Sequence, residues 1–253
     1  MDHTATIPKP TETSNVFKIS ATGVAKRLLL VVGLLFCLHS TGVVLESILE
    51  YESRVTRIIV RYFDLNGEEN VPAFFSSVIL LAAACLLLLI YRTSKYTGRH
   101  KGNGYWLALA VIFVFMAVDE SVQIHEHIAE FVRPQLTSDL NGLLHWAWVV
   151  PYTLVVAGVV AVFFRWVLLL PATTRNLFFL SGGMFVLGAL GFEFIEGYLF
   201  KHYGLDHIYN RIMYTLEELL EMTAVILFIY ALLQYLAKLK LSVSLIEGKD
   251  ASG

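Results

Sequence analysis

Charge is scarce in this chain. Only 16% of its 253 residues are Asp, Glu, Lys or Arg and 57% are apolar, whereas soluble domains carry about 25% charged and 45–50% apolar residues. With a mean hydropathy of +0.65, that balance argues against a soluble domain. Cysteine is scarcer still. Cys37 and Cys85 each lie within a hydrophobic run and neither belongs to a CxxC pair, which excludes a disulfide scaffold or a zinc ribbon. Thiols in such runs act as small apolar packing groups, and a bond between the two stays open. The phosphate-binding, dinucleotide-binding, HExxH and G-x-S-x-G signatures are all absent, and no Ser-His-Asp order stands out. No lysine sits mid-span, which argues against a retinal Schiff base. The sequence pI is about 6.4, and no basic cluster exceeds ordinary membrane anchors, so nucleic-acid binding has no support.

The apolar residues are gathered into runs long enough to cross about 30 Å of hydrocarbon, which takes about 20 residues. Six spans are expected, near residues 28–48, 74–90, 106–124, 146–170, 177–200 and 213–236. The expectation is an all-α, polytopic, six-helix transmembrane bundle. It comprises a polar tail at 1–26, one membrane domain at 27–238 and a second tail at 239–253. The long, weakly hydrophobic first tail does not read as a signal peptide. Between spans one and two, Val55, Ile58, Ile59, Tyr62 and Phe63 recur at helical spacing while Arg54, Arg57 and Arg61 share another face. That pattern predicts a short amphipathic helix lying in the interface, with a lid as the alternative. Tyr105, Trp106, Trp146, Trp148 and Tyr152 read as interfacial belt residues.

Orientation follows from the cations. With six spans, 13 of the 19 Lys and Arg residues fall on the side of the two tails and 6 on the other. Both termini are therefore expected in the cytoplasm of a plasma (inner) membrane. Arg54, Arg57 and Arg61 go against that trend.

The informative feature is where the intramembrane acids and imidazoles fall. A carboxylate inside a span is costly and usually faces the bundle interior. Near the end of span three, setting Asp119 at zero on a continuous helix places Glu126 near about −20°, Gln123 near about +40°, His127 near about +80° and Glu120 near about +100°. On that arithmetic His125 points away, as a headgroup-level or packing residue. Span six opens with Tyr214, Glu217, Glu218 and Glu221 on one face, within an arc of about 100°. Glu193 and Glu196 end span five, one turn apart, after Gly182, Gly183, Gly188 and Gly191, which allow close helix approach. Span one adds His39, Glu46 and, if the helix reaches it, Glu50. The loops add Glu68, Glu69, Asn70, His145, His202, Asp206 and His207. Except for mid-span His39, all belong to the non-cytoplasmic stratum.

Bland readings exist for several of these groups. Acids in the first turns of a helix complement its dipole, which covers Glu217 and Glu218, and His202 and His207 read as ordinary loop residues. Asp119 and Glu193 resist such readings because their surroundings are apolar. Carboxylates from several helices of a bundle can hold a divalent metal. The candidate ligands are Asp119, Glu120, His127, Glu193, Glu196, Glu217, Glu218 and Glu221, and the candidate acid–base groups are Asp119, Glu120, Glu193 and Glu221. No literal Glu-x-x-His occurs in any span. An acid-rich set suits iron or manganese better than zinc. The expected substrate is hydrophobic or extracytoplasmic, and the expected partners are membrane lipids, a small-molecule or lipid substrate, and other membrane proteins. A proton- or cation-coupled transporter and a non-catalytic subunit of a membrane complex stay open as alternatives.

Overall fold

A computed structural model describes residues 19–51, 53–96, 102–135, 147–204 and 207–239. Residue 52 and the expectations for His145, Trp146 and Asp206, and for most of both tails, fall outside these residues. The described residues hold nine α-helices and no strand. They are α1 (Ala21–Val43), α2 (Arg54–Phe63), α3 (Val71–Tyr96), α4 (Asn103–Val122), α5 (Ile124–Val132), α6 (Val149–Leu168), α7 (Ala172–Val186), α8 (Glu193–Tyr203) and α9 (Ile208–Lys238). Six spans are long and apolar enough to cross a membrane: Ala21–Glu46, Val71–Lys95, Asn103–Val122, Val149–Leu168, Ala172–Tyr203 and Ile208–Lys238. The chain is an all-α, multi-pass membrane protein.

Every span except that of α6 runs longer than its apolar run, and side-chain caps start α1 and α9 within polar residues. Ser20 Oγ accepts the Gly23 amide at 3.1 Å and starts α1 in the polar segment. At its other end α1 passes into a π-helical turn, Val44–Ile48. Glu50 then adopts φ +47°, so it leaves the helix and does not share the arc of His39 and Glu46. Ser53 Oγ accepts the Thr56 amide at 3.1 Å and starts the expected interfacial helix α2.

Helix α9 is the hub. It packs against α1, α3, α7 and α8 and buries Met222, Val225, Ile226, Phe228, Ile229 and Leu232. A helix apolar on every side belongs in the middle of a bundle. Helices α3 and α4 share the most extensive helix–helix contact among the described residues, and small residues on each, Ala83 and Ala110, are buried. Ser77 Oγ donates to the Ala117 carbonyl at 2.7 Å and lies 2.8 Å from Ser121 Oγ. Outward-facing Leu30, Val111, Leu154 and Val162 are exposed, as a lipid-solvated surface requires.

At the end of the bundle holding the start of α4 and the end of α9, aromatic rings lock four helices. Trp106 meets Trp166 edge-on at 4.7 Å, Tyr235 at 5.0 Å and Phe178 at 6.0 Å. Gly102 takes φ +80°, and a Cβ there would come within 3.0 Å of the Trp166 indole nitrogen, so glycine serves both the turn and the packing. Trp106 and Trp148, read as interfacial belt residues, are instead buried inside the protein. Cys37 and Cys85 are free and exposed, without a disulfide between them.

Candidate functional site

The opposite end of the bundle gathers the acids, beginning with a break in the fourth helix. Gln123 sits at φ 58°, ψ 44°, the left-handed region, and ends α4 before α5 starts. Such a break leaves the first amides of the new helix without intrahelical acceptors. Asp119 supplies one, its Oδ1 accepting the His125 amide at 2.8 Å. Oδ1 also lies 3.4 Å from His125 Nδ1, and Oδ2 accepts the Tyr152 hydroxyl at 3.1 Å. Both oxygens of Asp119 are thereby engaged.

The same break overturns the continuous-helix arithmetic beyond residue 122. His127 is exposed and its Nδ1 lies 2.8 Å from the Gln123 carbonyl, so it does not join the carboxylates. His125, expected to point away, turns inward instead. Its Nε2 lies 3.4 Å from Glu68 Oε1, and its ring meets Trp148 at 5.3 Å. Burial, the largest single influence on this imidazole, works to lower its pKa. The carboxylates of Asp119 and Glu68 outweigh that and push it up to about 10.

Beyond His125 lies a group of acids from three helices. Glu120 of α4, Glu193 and Glu196 of α8, and Glu217, Glu218 and Glu221 of α9 form one chain of electrostatic neighbours, with Glu120 joined to the rest through Glu218 and Glu221. Glu196 and Glu217 are hydrogen-bonded and buried, at 8% and 9% exposure. Glu120, Glu193, Glu218 and Glu221 are half-buried. Glu196 Oε1 and Glu193 Oε2 are buried without a hydrogen-bond partner. Among the described residues His125 is the one cationic group acting on Glu120, Glu193 and Glu221. An unpaired ion in a protein interior costs several kcal/mol, so this group requires shared protons or a bound cation.

Backbone irregularity makes room for it. A π-helical turn, Leu187–Phe192, joins α7 to α8 within one span, and such turns recur at functional sites. Gly188 in that turn faces α9, where a Cβ would stand 2.8 Å from Glu221 Cγ and 3.4 Å from the Glu217 carbonyl. Gly182 and Gly183, expected to serve helix approach, are exposed with nothing near them.

Other residues singled out in the sequence have structural partners. His39, 4% exposed, accepts the Leu65 amide at Nδ1 (3.1 Å), leaving Nε2–H for Thr215 Oγ1 at 2.9 Å. It ties α1, the 1–2 loop and α9 together. Glu46 pairs with Arg211 at 3.0 Å, an arginine the sequence offers no reason to select. His202 Nδ1 bonds the Tyr198 carbonyl within α8, and His207 caps α9.

One set of donor atoms already lies mutually within 4.8 Å: those of Glu68, His125 and Glu126. A metal ligand must be a neutral imidazole, and the carboxylates of Asp119 and Glu68 on either side of His125 favour its protonated form instead. Within that triad His125 is ion-paired with Glu68, and among the described residues Glu126 makes no ion pair with it. Asp119, itself bonded by Tyr152, and Glu68 hold His125 in place, while Glu193 Oε2 and Glu196 Oε1 of α8 have no hydrogen-bond partner. Neither curated proteins nor solved structures include a match to this chain. A family model does match, over residues 25–236, and the chain belongs to that family, described as Domain of unknown function (DUF8692).

Proposed function

We propose that the buried carboxylates form a divalent-cation centre with acid–base capacity, acting on a hydrophobic or extracytoplasmic substrate. The observation that carries this reading is the pair of buried, partnerless oxygens, Glu193 Oε2 and Glu196 Oε1, beside Glu217 and Glu221. A dication supplies what those oxygens and that excess of acid lack. An all-oxygen donor set suits iron, manganese, magnesium or calcium better than zinc. Glu193, Glu196, Glu217 and Glu221 are the ligand candidates, and Glu120 and Glu218 are placed to exchange protons beside them. Asp119 and His127 drop out of the ligand set, the first because its oxygens are taken and the second because it faces elsewhere. Access from the non-cytoplasmic side, with both termini in the cytoplasm, rests on the 13-to-6 division of the cations. A through-going transport path is disfavoured by Val225, Ile226, Phe228, Ile229 and Leu232, which fill the bundle beyond Glu221.

The test is elemental analysis by mass spectrometry of detergent-purified protein and of a Glu193→Gln/Glu196→Gln variant. The expected result is about one equivalent of iron or manganese in the parent, and loss of it in a variant with unchanged helicity. Metal-free parent after reconstitution with each candidate ion would remove the cation from the reading and leave proton chemistry alone.

A further inference from the structure

Helix α2 presents three different surfaces. Its inner surface is docked on the end of α1, where Gly42 lets Ile59 and Val60 close in. A Cβ on Gly42 would lie 3.3 Å from a methyl of each. Thr56 on that side is 3% exposed, and the chain after α2 is pinned by Leu65, itself buried. A second surface is an apolar ridge at i, i+3/i+4 and i+7, with Val55 63%, Ile58 47% and Tyr62 47% exposed. The third carries Arg54, Arg57 and Arg61, all exposed, with the Arg61 guanidinium 5.8 Å from the Tyr62 ring. The two outer ridges stand about 100° apart around the helix. Helix α2 has no acid of its own. Among the described residues no carboxylate is ion-paired with its arginines.

An apolar ridge beside a cationic ridge, on a helix held at the end of a span, matches the boundary between acyl chains and headgroups. Three arginines on this side also run against the distribution of the remaining cations, which calls for a local anion. Guanidinium groups at successive turns suit phosphodiesters, which they bind through paired N–H donors. We infer that α2 is a docking surface for anionic phospholipid, with Val55, Ile58 and Tyr62 among the acyl chains and Arg54, Arg57 and Arg61 on the headgroup phosphates. The inference is independent of whether the carboxylate centre binds a cation.

The test compares the full chain in nanodiscs of phosphatidylcholine alone with nanodiscs containing phosphatidylglycerol, counting retained lipids by native mass spectrometry. The parent is expected to retain phosphatidylglycerol over phosphatidylcholine, with a preference that falls as salt is raised. Arg54→Gln/Arg57→Gln/Arg61→Gln should lose roughly fivefold in preference per arginine, on the order of a hundredfold in all. The corresponding Arg→Lys triple variant keeps the charge but not the paired N–H donors and should fall between the parent and the Gln variant, which separates charge from misfolding. Equal retention of the two lipids by the parent, or an undiminished preference in the Gln variant, would overturn the inference. So would full displacement of the lipid by glycerol phosphate, which would mark a site for a free anion.

Discussion

His125 shows how a single residue changes standing when its surroundings are known. Its imidazolium is stabilised in the fold by Asp119 and Glu68 and titrates at about 10, against about 6.5 unfolded. Because the folded value is the higher one, its contribution to stability is full below about pH 6.5 and fades as pH rises towards about 10. Thermal unfolding of the parent and of His125→Gln should therefore differ most at or below pH 6.5 and converge by pH 10. A difference that grew with pH would contradict the imidazolium assignment. Gly188 makes a second prediction at this scale. An alanine there must displace Glu221 or push back the α9 backbone, an overpacking that costs about 1–3 kcal/mol. Gly188→Ala should lower the melting temperature and weaken whatever Glu221 binds, whereas Gly182→Ala, with nothing near it, should do neither.

At the scale of elements, the break at Gln123 decides the site. Glutamine at φ 58° is held there against its preference, so Gln123→Gly should raise stability or leave it unchanged. Gln123→Val should lower it by about 1–2 kcal/mol, read by thermal unfolding in detergent. A valine variant as stable as the parent would show that α4 continues through residue 123. This break also marks where the sequence stopped being legible. Hydropathy located all six spans, and helical spacing placed Glu217, Glu218 and Glu221 on one face, because those rules hold within an unbroken helix. The same arithmetic carried across Gln123 put His127 with the acids and sent His125 away. Glutamine carries no turn signature of the kind glycine or proline gives, so nothing local announced the break. The π-helical turn before Glu193 was equally silent, since a run of small and apolar residues reads the same in either winding. Arg211 and Tyr152 matter through partners more than 30 positions away in the chain, which periodicity cannot supply.

At the scale of the whole molecule, the two ends of the bundle are unlike. One end closes on Trp106, Trp166, Phe178 and Tyr235, and the other opens on acids beneath an ion-paired histidine. On the proposed reading, ions reach the acids from one end and the packed apolar residues of α9 beyond Glu221 block their passage. Proteoliposomes containing the protein should show no more manganese uptake or proton leak than empty vesicles, under either sign of membrane potential; flux above that background would favour a transporter. A cation between α8 and α9 would show in an anomalous difference map from crystals soaked in manganese. One peak is expected about 2.0–2.2 Å from oxygens of Glu193 and Glu196. A peak at Glu68, His125 and Glu126, or no peak in a well-ordered map, would contradict the proposed centre.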